Sequence, residues 1–336
     1  MSRSGILSGL AWCVDRNISV ANWPQEETVA TVLSEVHQGG CPSFNMSTAL
    51  KRLDAPFPVS AAGVLGKDAD GHFLRNSCVE LGIDCTQVEL REGQTTSYVV
   101  VVTAKDTGRR TFFSTAGSNS VETPDDIDFT KTNARIAHIG LPGFHEKLDK
   151  PWAGDASGWI TILKKARAAG VKTNLEMASF EPAIIKSLVA PMLPLLDSLI
   201  INDFEAAALT GLKTVENGKT DVAQCRKVLE GLLSAHPNLD LAVIHFPLGA
   251  IAALRGGEVI EQSSVNVPKS EIVGSNGAGD CFAAGVLIGH HEGWPMKQGM
   301  KLGHAAAATS LRDAGTTTAV LPWKDCLSLA DQWGWR

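Results

Sequence analysis

Along most of the chain, short apolar runs rich in β-branched residues alternate with segments whose apolar positions recur every three to four residues. "ARIAHIGLPG" has the look of a short strand ending in a Gly/Pro loop, and "WITILKKARAAG" of a helix stopping at Gly170. "VKTNLEM" reads as the next strand. "LDSLIIN" is a strand ending at Asn202, and "DFEAAALTG" opens a helix with acids in its first turn. "LDLAVIHF" and "GAIAALRGGEVIE" are further strands, while "CFAAGVLIGHHEG" and "MKQGMKLGHAAAATSLRDAG" are two helices rich in small residues. This alternation predicts a parallel sheet covered by helices on both faces. In such sheets ligands bind beyond the carboxyl ends of the strands. Asn202 falls at such an end, and so does a glycine cluster that follows "SEIV".

Two pieces break the alternation. "TSYVVVVTA" and "RRTFFST" flank the turn "KDTGR" as a hairpin, and "VDRNISV" near the N-terminus is an isolated strand. They predict a small separate sheet, placed as a lid. No internal repeat, low-complexity tract or linker interrupts the 336 residues. That length suits one large α/β domain with a small appendage, or two domains.

Composition narrows the partners. An apolar fraction of 44 % describes a globular protein, and a net charge of −6 gives no electrostatic reason to expect nucleic acid or an anionic membrane. No run approaches ~18 consecutive apolar residues, so no transmembrane helix is expected. "GILSGLAWCV" has the length of a signal-peptide core but lacks a small-residue cleavage site, and "DRNISV" continues it as a strand. The seven cysteines form no C-x-x-C pair and do not combine with histidines at metal-ligand spacing. They read as reduced thiols of a cytoplasmic protein, with Cys281 a small packing residue.

The glycine cluster carries the chemistry. "GSNGAGDCFAAG", Gly274–Gly285, has P-loop spacing from Gly274 to Gly279, but Asp280 stands where the P-loop lysine would be. Glycines before a helix turn backbone N–H groups outward, and the helix start adds partial positive charge. The loop therefore holds an anion without a lysine. An ionised carboxylate beside a phosphoryl group accepts the proton of an attacking hydroxyl, which assigns Asp280 the role of base. The competing reading makes Asp280 a plain helix-start acid. A dinucleotide fingerprint needs G-x-G-x-x-G, an order this loop does not have.

These residues also carry a resemblance. Gly277, Ala278, Gly279, Asp280, Phe282 and Gly285 fit the pattern D-T-x-G-A-G-D-x-F-x-x-G of the ribokinase-like (PfkB) carbohydrate kinases. "GGCPSFNMSTALKRL" with "AAGVLGKDADG" resembles that family's N-terminal signature through Gly39, Gly40, Asn45, Gly66, Asp68 and Gly71. Asn202 and Glu205 fit its N-x-x-E segment, and Asp15 its early acid. Five segments in the family's order span nearly the whole chain.

The resemblance implies a single domain, 1–336, with the three-layer α/β/α sandwich of the ribokinase-like fold. Its central sheet would be mostly parallel, with a small β lid formed by segments near 12–30 and 86–117. It implies ATP-dependent phosphorylation of a hydroxyl of a small sugar or polyol, with Mg²⁺, and a homodimer through the lid. Asp280 would be the general base and the backbone of Gly277, Ala278 and Gly279 the anion hole. Asp15, Gly39, Gly40 and Asn45 would bind the sugar. Asn202, Glu205, Gly249, Asn276 and His304 would face the nucleotide, with Glu205 reaching Mg²⁺ through water. From the residues alone Asn45 is equally a buried capping amide, and His304 a packed histidine.

Departures from the pattern matter as much. The acid that opens the C-terminal signature, part of the family's monovalent-cation site, is Gly274 here, so no potassium activation is expected. The nucleotide loop T-x-G-x-x-G is "IHFPLG", which keeps only Gly249 and adds Phe246 and Pro247. In "KTNLE", Asn174 is kept and Glu176 replaces an arginine, which argues against an anionic acceptor. Trp12 and Trp23 flank Asp15 either as packing or as a platform for a sugar ring. Arg109 and Arg110 read either as solvated turn residues or as a basic pair that approaches phosphates. A nucleoside kinase shares the sugar-facing motifs. A non-catalytic sensor would need no base, and a dehydrogenase is disfavoured by the glycine order.

Overall fold

The computed structural model describes residues 3–336. The chain opens with strands β1 (Ile6–Leu10), β2 (Cys13–Val20) and β3 (Val32–Gly40), then helix α1 (Cys41–Arg52). It continues through β4 (Val59–Gly66), α2 (Ala69–Glu80), β5 (Asp84–Arg91), β6 (Tyr98–Ala104), β7 (Arg110–Thr115) and β8 (Ile136–Gly140). Next come α3 (Gly158–Ala168), β9 (Lys172–Leu175), α4 (Pro182–Val189), β10 (Ser198–Asn202) and α5 (Asp203–Thr210). A two-residue pair, β11 (Val215–Glu216) and β12 (Lys219–Thr220), precedes α6 (Val222–Ala235). Strands β13 (Leu241–Phe246), β14 (Gly249–Leu254) and β15 (Ile260–Ser263) lead to α7 (Ala278–Glu292), α8 (Met296–Ser310) and α9 (Trp323–Trp333).

Nine strands form one sheet in the order β15-β14-β13-β10-β9-β8-β1-β4-β5. Its pairs are parallel except for β13 with β14 and β14 with β15. The period-2 geometry of a strand sends successive side chains to opposite faces, and here both faces are covered. Ile6, Ile136, Ile200 and Val243 enter one core with α1, α2, α7, α8 and α9. Their neighbours Leu7, Ala137, Ile201 and Ile244 enter a second core with α3, α4, α5 and α6. The predicted three layers are therefore present.

Small residues set the spacing of α7 and α8. A Cβ on Gly285 would lie 2.5 Å from the Gly303 backbone, and one on Gly289 would lie 2.7 Å from Gly299. Both pairs are four residues apart, so one face of each helix is bare enough for close approach. Gly285 of the signature thus has a packing reason.

The second sheet has the order β3-β2-β6-β7, with β2 and β6 parallel and the outer pairs antiparallel. Three expectations shift. The lid takes in β3, beyond the expected 12–30, because "VLSEVHQ" is exposed on both faces and shows no alternation. Residues 86–91 belong to β5 and pair with β4 in the large sheet. "SEIV" is no strand either: a single 3₁₀ turn spans Lys269–Glu271, and Ile272 and Val273 are exposed. The glycine cluster is therefore held against the loop after α8, residues 311–316, and not by a strand end.

Candidate active site

Helix α7 begins without a side-chain cap. Its N-cap Gly277 has φ +72°, and a Cβ there would stand 2.6 Å from the Thr316 carbonyl. Only glycine meets both conditions, the left-handed backbone and the contact. A helix start leaves its first N–H groups without carbonyls behind them, so those of the first turn face outward. Ala278 and Gly279 line a cleft of about 580 Å³ with Asn202, Phe246, Pro247, Phe282, His304 and apolar residues of α8.

Asp280 sits in that first turn, where Asn45 Nδ2 donates to its Oδ2 at 2.8 Å. Desolvation raises the Asp280 carboxyl to about 6; the Asn45 bond pulls the other way and the Asp15 charge adds to the rise. Asn45 is one turn into α1, buried, and its Oδ1 has no partner. Asp15 comes from β2, where burial likewise raises its carboxyl to about 6. The Cys13 thiol donates to Asp15 Oδ1 at 3.5 Å. Gly40, at the N-cap of α1, lies flush with this carboxylate, since a Cβ there would meet it at 2.6 Å. Gly39 is packed against the Phe44 ring. Asp15, Gly40, Asn45 and Asp280 are thus brought together from residues 265 positions apart (15 to 280), at the junction of lid and large sheet.

Asn202 and Glu205 form a capping box on α5. Asn202 Oδ1 accepts from the Glu205 N–H (2.8 Å) and Glu205 Oε2 from the Asn202 N–H (3.0 Å). Ser179 Oγ donates to Glu205 Oε1 at 3.2 Å. Asn202 lines the cleft, while burial raises the Glu205 carboxyl to about 7. Glu176 has its carboxyl raised by burial first, then by the charges of Asp280 and Glu205, which sets it between the two. Among the described residues no three His, Cys, Asp or Glu side chains converge as a metal site. A hard cation fits here in another way, as the positive charge these raised carboxyls lack, arriving with phosphate oxygens.

The rest of the nucleotide-facing set is mixed. His304 lines the cleft with its ring 4.8 Å from Phe282, which in turn packs 5.0 Å from His245. Burial holds His304 neutral, its pKa lowered to about 3. Phe246 and Pro247 line the cleft; Gly249 does not, and starts β14 against the Gln262 carbonyl. Asn276 Oδ1 accepts from Arg110 Nη1 at 3.2 Å, so Arg110 is not simply a solvated turn residue: the lid hairpin reaches the glycine loop. Trp12 is fully buried and donates to the Ala62 carbonyl, and Trp23 stacks on Phe113 within the lid. Trp12 is packing, while Trp23 is half-exposed on the lid.

Asp68 of the N-terminal signature braces the fold beside the site. It caps α2 by accepting from the Gly71 N–H, and it accepts from the N–H and Oγ1 of Thr96, just before lid strand β6. Nothing in the sequence signalled Cys13 or Cys41 as site residues. Their neighbourhood follows from the pairing of β2 with β3, a strand hidden by its exposure.

Comparison with known proteins identifies the family and the fold. A family model described as pfkB family carbohydrate kinase matches residues 12–324. The chain is 24 % identical to ribokinase of Arabidopsis thaliana over 325 residues, 94 % of this chain and 78 % of that one. The solved structure of Arabidopsis thaliana ribokinase complexed with ribose and ATP superposes with a TM-score of 0.80 at 20 % identity, over 98 % of this chain and 99 % of that one. A nucleoside kinase of Methanocaldococcus jannaschii gives 0.76 at 18 % identity, over 99 % and 100 %. At such identities the structures speak for the fold alone.

Proposed function

Since the chain belongs to the pfkB family of carbohydrate kinases, we propose that it transfers the γ-phosphoryl group of ATP to a hydroxyl of a small sugar or polyol. The observation that carries this reading is Asp280, pinned by Asn45 at a helix start whose N–H groups face the cleft. The acceptor oxygen forms a bond to the γ-phosphorus as the bond to the β,γ-bridging oxygen breaks. Its proton passes to the Asp280 carboxylate, and the α7 N–H groups carry charge on the transferred group. Asp15 and the free Asn45 Oδ1 are acceptors suited to the donors of a polyol. Glu205 and Glu176 would hold bound Mg²⁺, which would neutralise phosphate charge.

A nucleoside acceptor is the second reading, favoured by the fold likeness to a nucleoside kinase. ATP consumption against a panel of sugars, polyols and nucleosides tests both. Consumption with none of them would sink the kinase reading, leaving a sensor. The exposed Val32, Leu33 and Val36 of edge strand β3 support a lid-to-lid homodimer; a monomer mass by sedimentation would remove it. No described helix is long and apolar enough to cross a membrane.

Three results are expected. The base must be ionised, so activity lies above its pKa and is lost below it. Acceptor kcat/KM should fall about tenfold per unit below about pH 6, more steeply if Asp15, also near 6, titrates with it. A flat profile from pH 7 to 5 would contradict the assignment. Gly40→Ala presses a methyl on the Asp15 carboxylate and should raise acceptor KM about tenfold with little change in ATP KM. Replacing sodium with potassium should leave the rate unchanged. Gly274 supplies no carboxylate, and a Cβ there would crowd the 313–314 backbone at 3.1 Å from the Asp313 carbonyl.

A further inference from the structure

Beside Asp15 the strand register brings two cysteines together. Cys13 stands opposite Gly40 in the antiparallel pairing of β2 with β3, and Cys41 is the next residue, the first of α1. That register brings Cys41 beside Cys13, whose thiol is raised by this neighbour and by burial and donates to Asp15 Oδ1. Cys13 is buried and Cys41 half-buried at the rim of the acceptor site. The five other cysteines are buried; among them Cys78 and Cys85 share the core away from the site.

We propose that Cys13 and Cys41 are an oxidation site: a peroxide joins them in a disulfide that closes the acceptor pocket, and a thiol reductant reopens it. The order of events follows from exposure. A peroxide oxidises the accessible Cys41 sulfur to a sulfenic acid, and its O–O bond breaks to release one water. Cys13 is held protonated by Cys41 and by burial, so its attack needs a base, and the Asp15 carboxylate already accepts its proton. Cys13 sulfur bonds to Cys41 sulfur, and hydroxide leaves with that proton as a second water. Two thiols lose two electrons and two protons; the peroxide gains both.

The bond acts on the site through two contacts. It removes the Cys13 S–H donor from Asp15. It also draws the start of α1 toward β2, where the Gly40 backbone already touches the Asp15 carboxylate. Asn45, one turn along α1 from Cys41, moves with it and carries the hydrogen bond to Asp280. The effect on acceptor binding rests on the kinase reading; the bond itself does not.

The test treats reduced full-length protein with hydrogen peroxide, alkylates the remaining thiols, digests without reductant and reads peptide masses. A Cys13–Cys41 peptide pair two hydrogens lighter is expected, with acceptor KM raised about tenfold and restored by dithiothreitol. Cys41→Ser should lose both the cross-link and the reversible change, while Cys78→Ser keeps both. Recovery of Cys13 and Cys41 alkylated after peroxide would overturn the proposal, as would a cross-link that leaves acceptor KM unchanged. If reduced protein turns over no acceptor, the kinase reading fails. The oxidation site then stands or falls on the peptide masses alone.

Discussion

Asp280→Asn should lower kcat by about 10²–10⁴-fold, the range for a positioned general base, while ATP and acceptor KM move little. The loss concentrates in kcat because the carboxylate acts on a proton that moves only in the transition state. Folding should be preserved. Asn45 still finds an acceptor in the new amide oxygen, and a neutral group replaces a carboxyl whose burial and proximity to Asp15 disfavour its charge. The measurements are steady-state kinetics beside a thermal melt. Turnover within threefold of the parent, in a variant of unchanged Tm, would make Asp280 a helix-start acid (roughly the experimental margin on such a ratio). A variant that melts early would move the question to Asp280→Glu, which keeps the charge and misplaces it.

Gly277→Ala is expected to cost about 10²–10³-fold in kcat, the scale for dislodging a donor from an anion hole. Two effects combine at this position. A left-handed φ of +72° costs an alanine about 1–2 kcal/mol, and the new methyl, 2.6 Å from the Thr316 carbonyl, forces the loop to move. Gly256→Ala separates them, because Gly256 has φ +73° and a methyl there would meet nothing within 4 Å. It should lose the same strain energy and keep its rate. Equal kcat losses in the two variants would mean that strain, and not the placement of N–H groups, limits the reaction.

The layers of the fold were readable along the chain because both sheet faces are covered, so period-2 strands and 3.6-period helices are each strongly patterned. β3 escaped because an exposed strand has no apolar face to betray it. The apolar "IV" of "SEIV" misled in the opposite sense, since Ile272 and Val273 face solvent. At the site, Asp280 and its glycines were legible because a helix start that holds an anion constrains contiguous residues. Arg110 was not, because its contact with Asn276 joins positions 166 apart.

By itself, then, the sequence determined the three-layer class, the anion-holding helix start and the carboxylate within it, each a property of a few adjacent residues. Only the tertiary structure decided what surrounds that carboxylate. The pairing of β2 with β3 lays Gly40 and the Cys13 thiol against Asp15, and α1 presents Asn45 to Asp280. It also turned Trp12 into packing and Gly249 into a sheet residue. The physical reason is one of range. Helix starts and turns are set by local backbone sterics and hydrogen bonds. The desolvation that raises Asp15 and Asp280 to about 6 exists only once distant segments have excluded water around them.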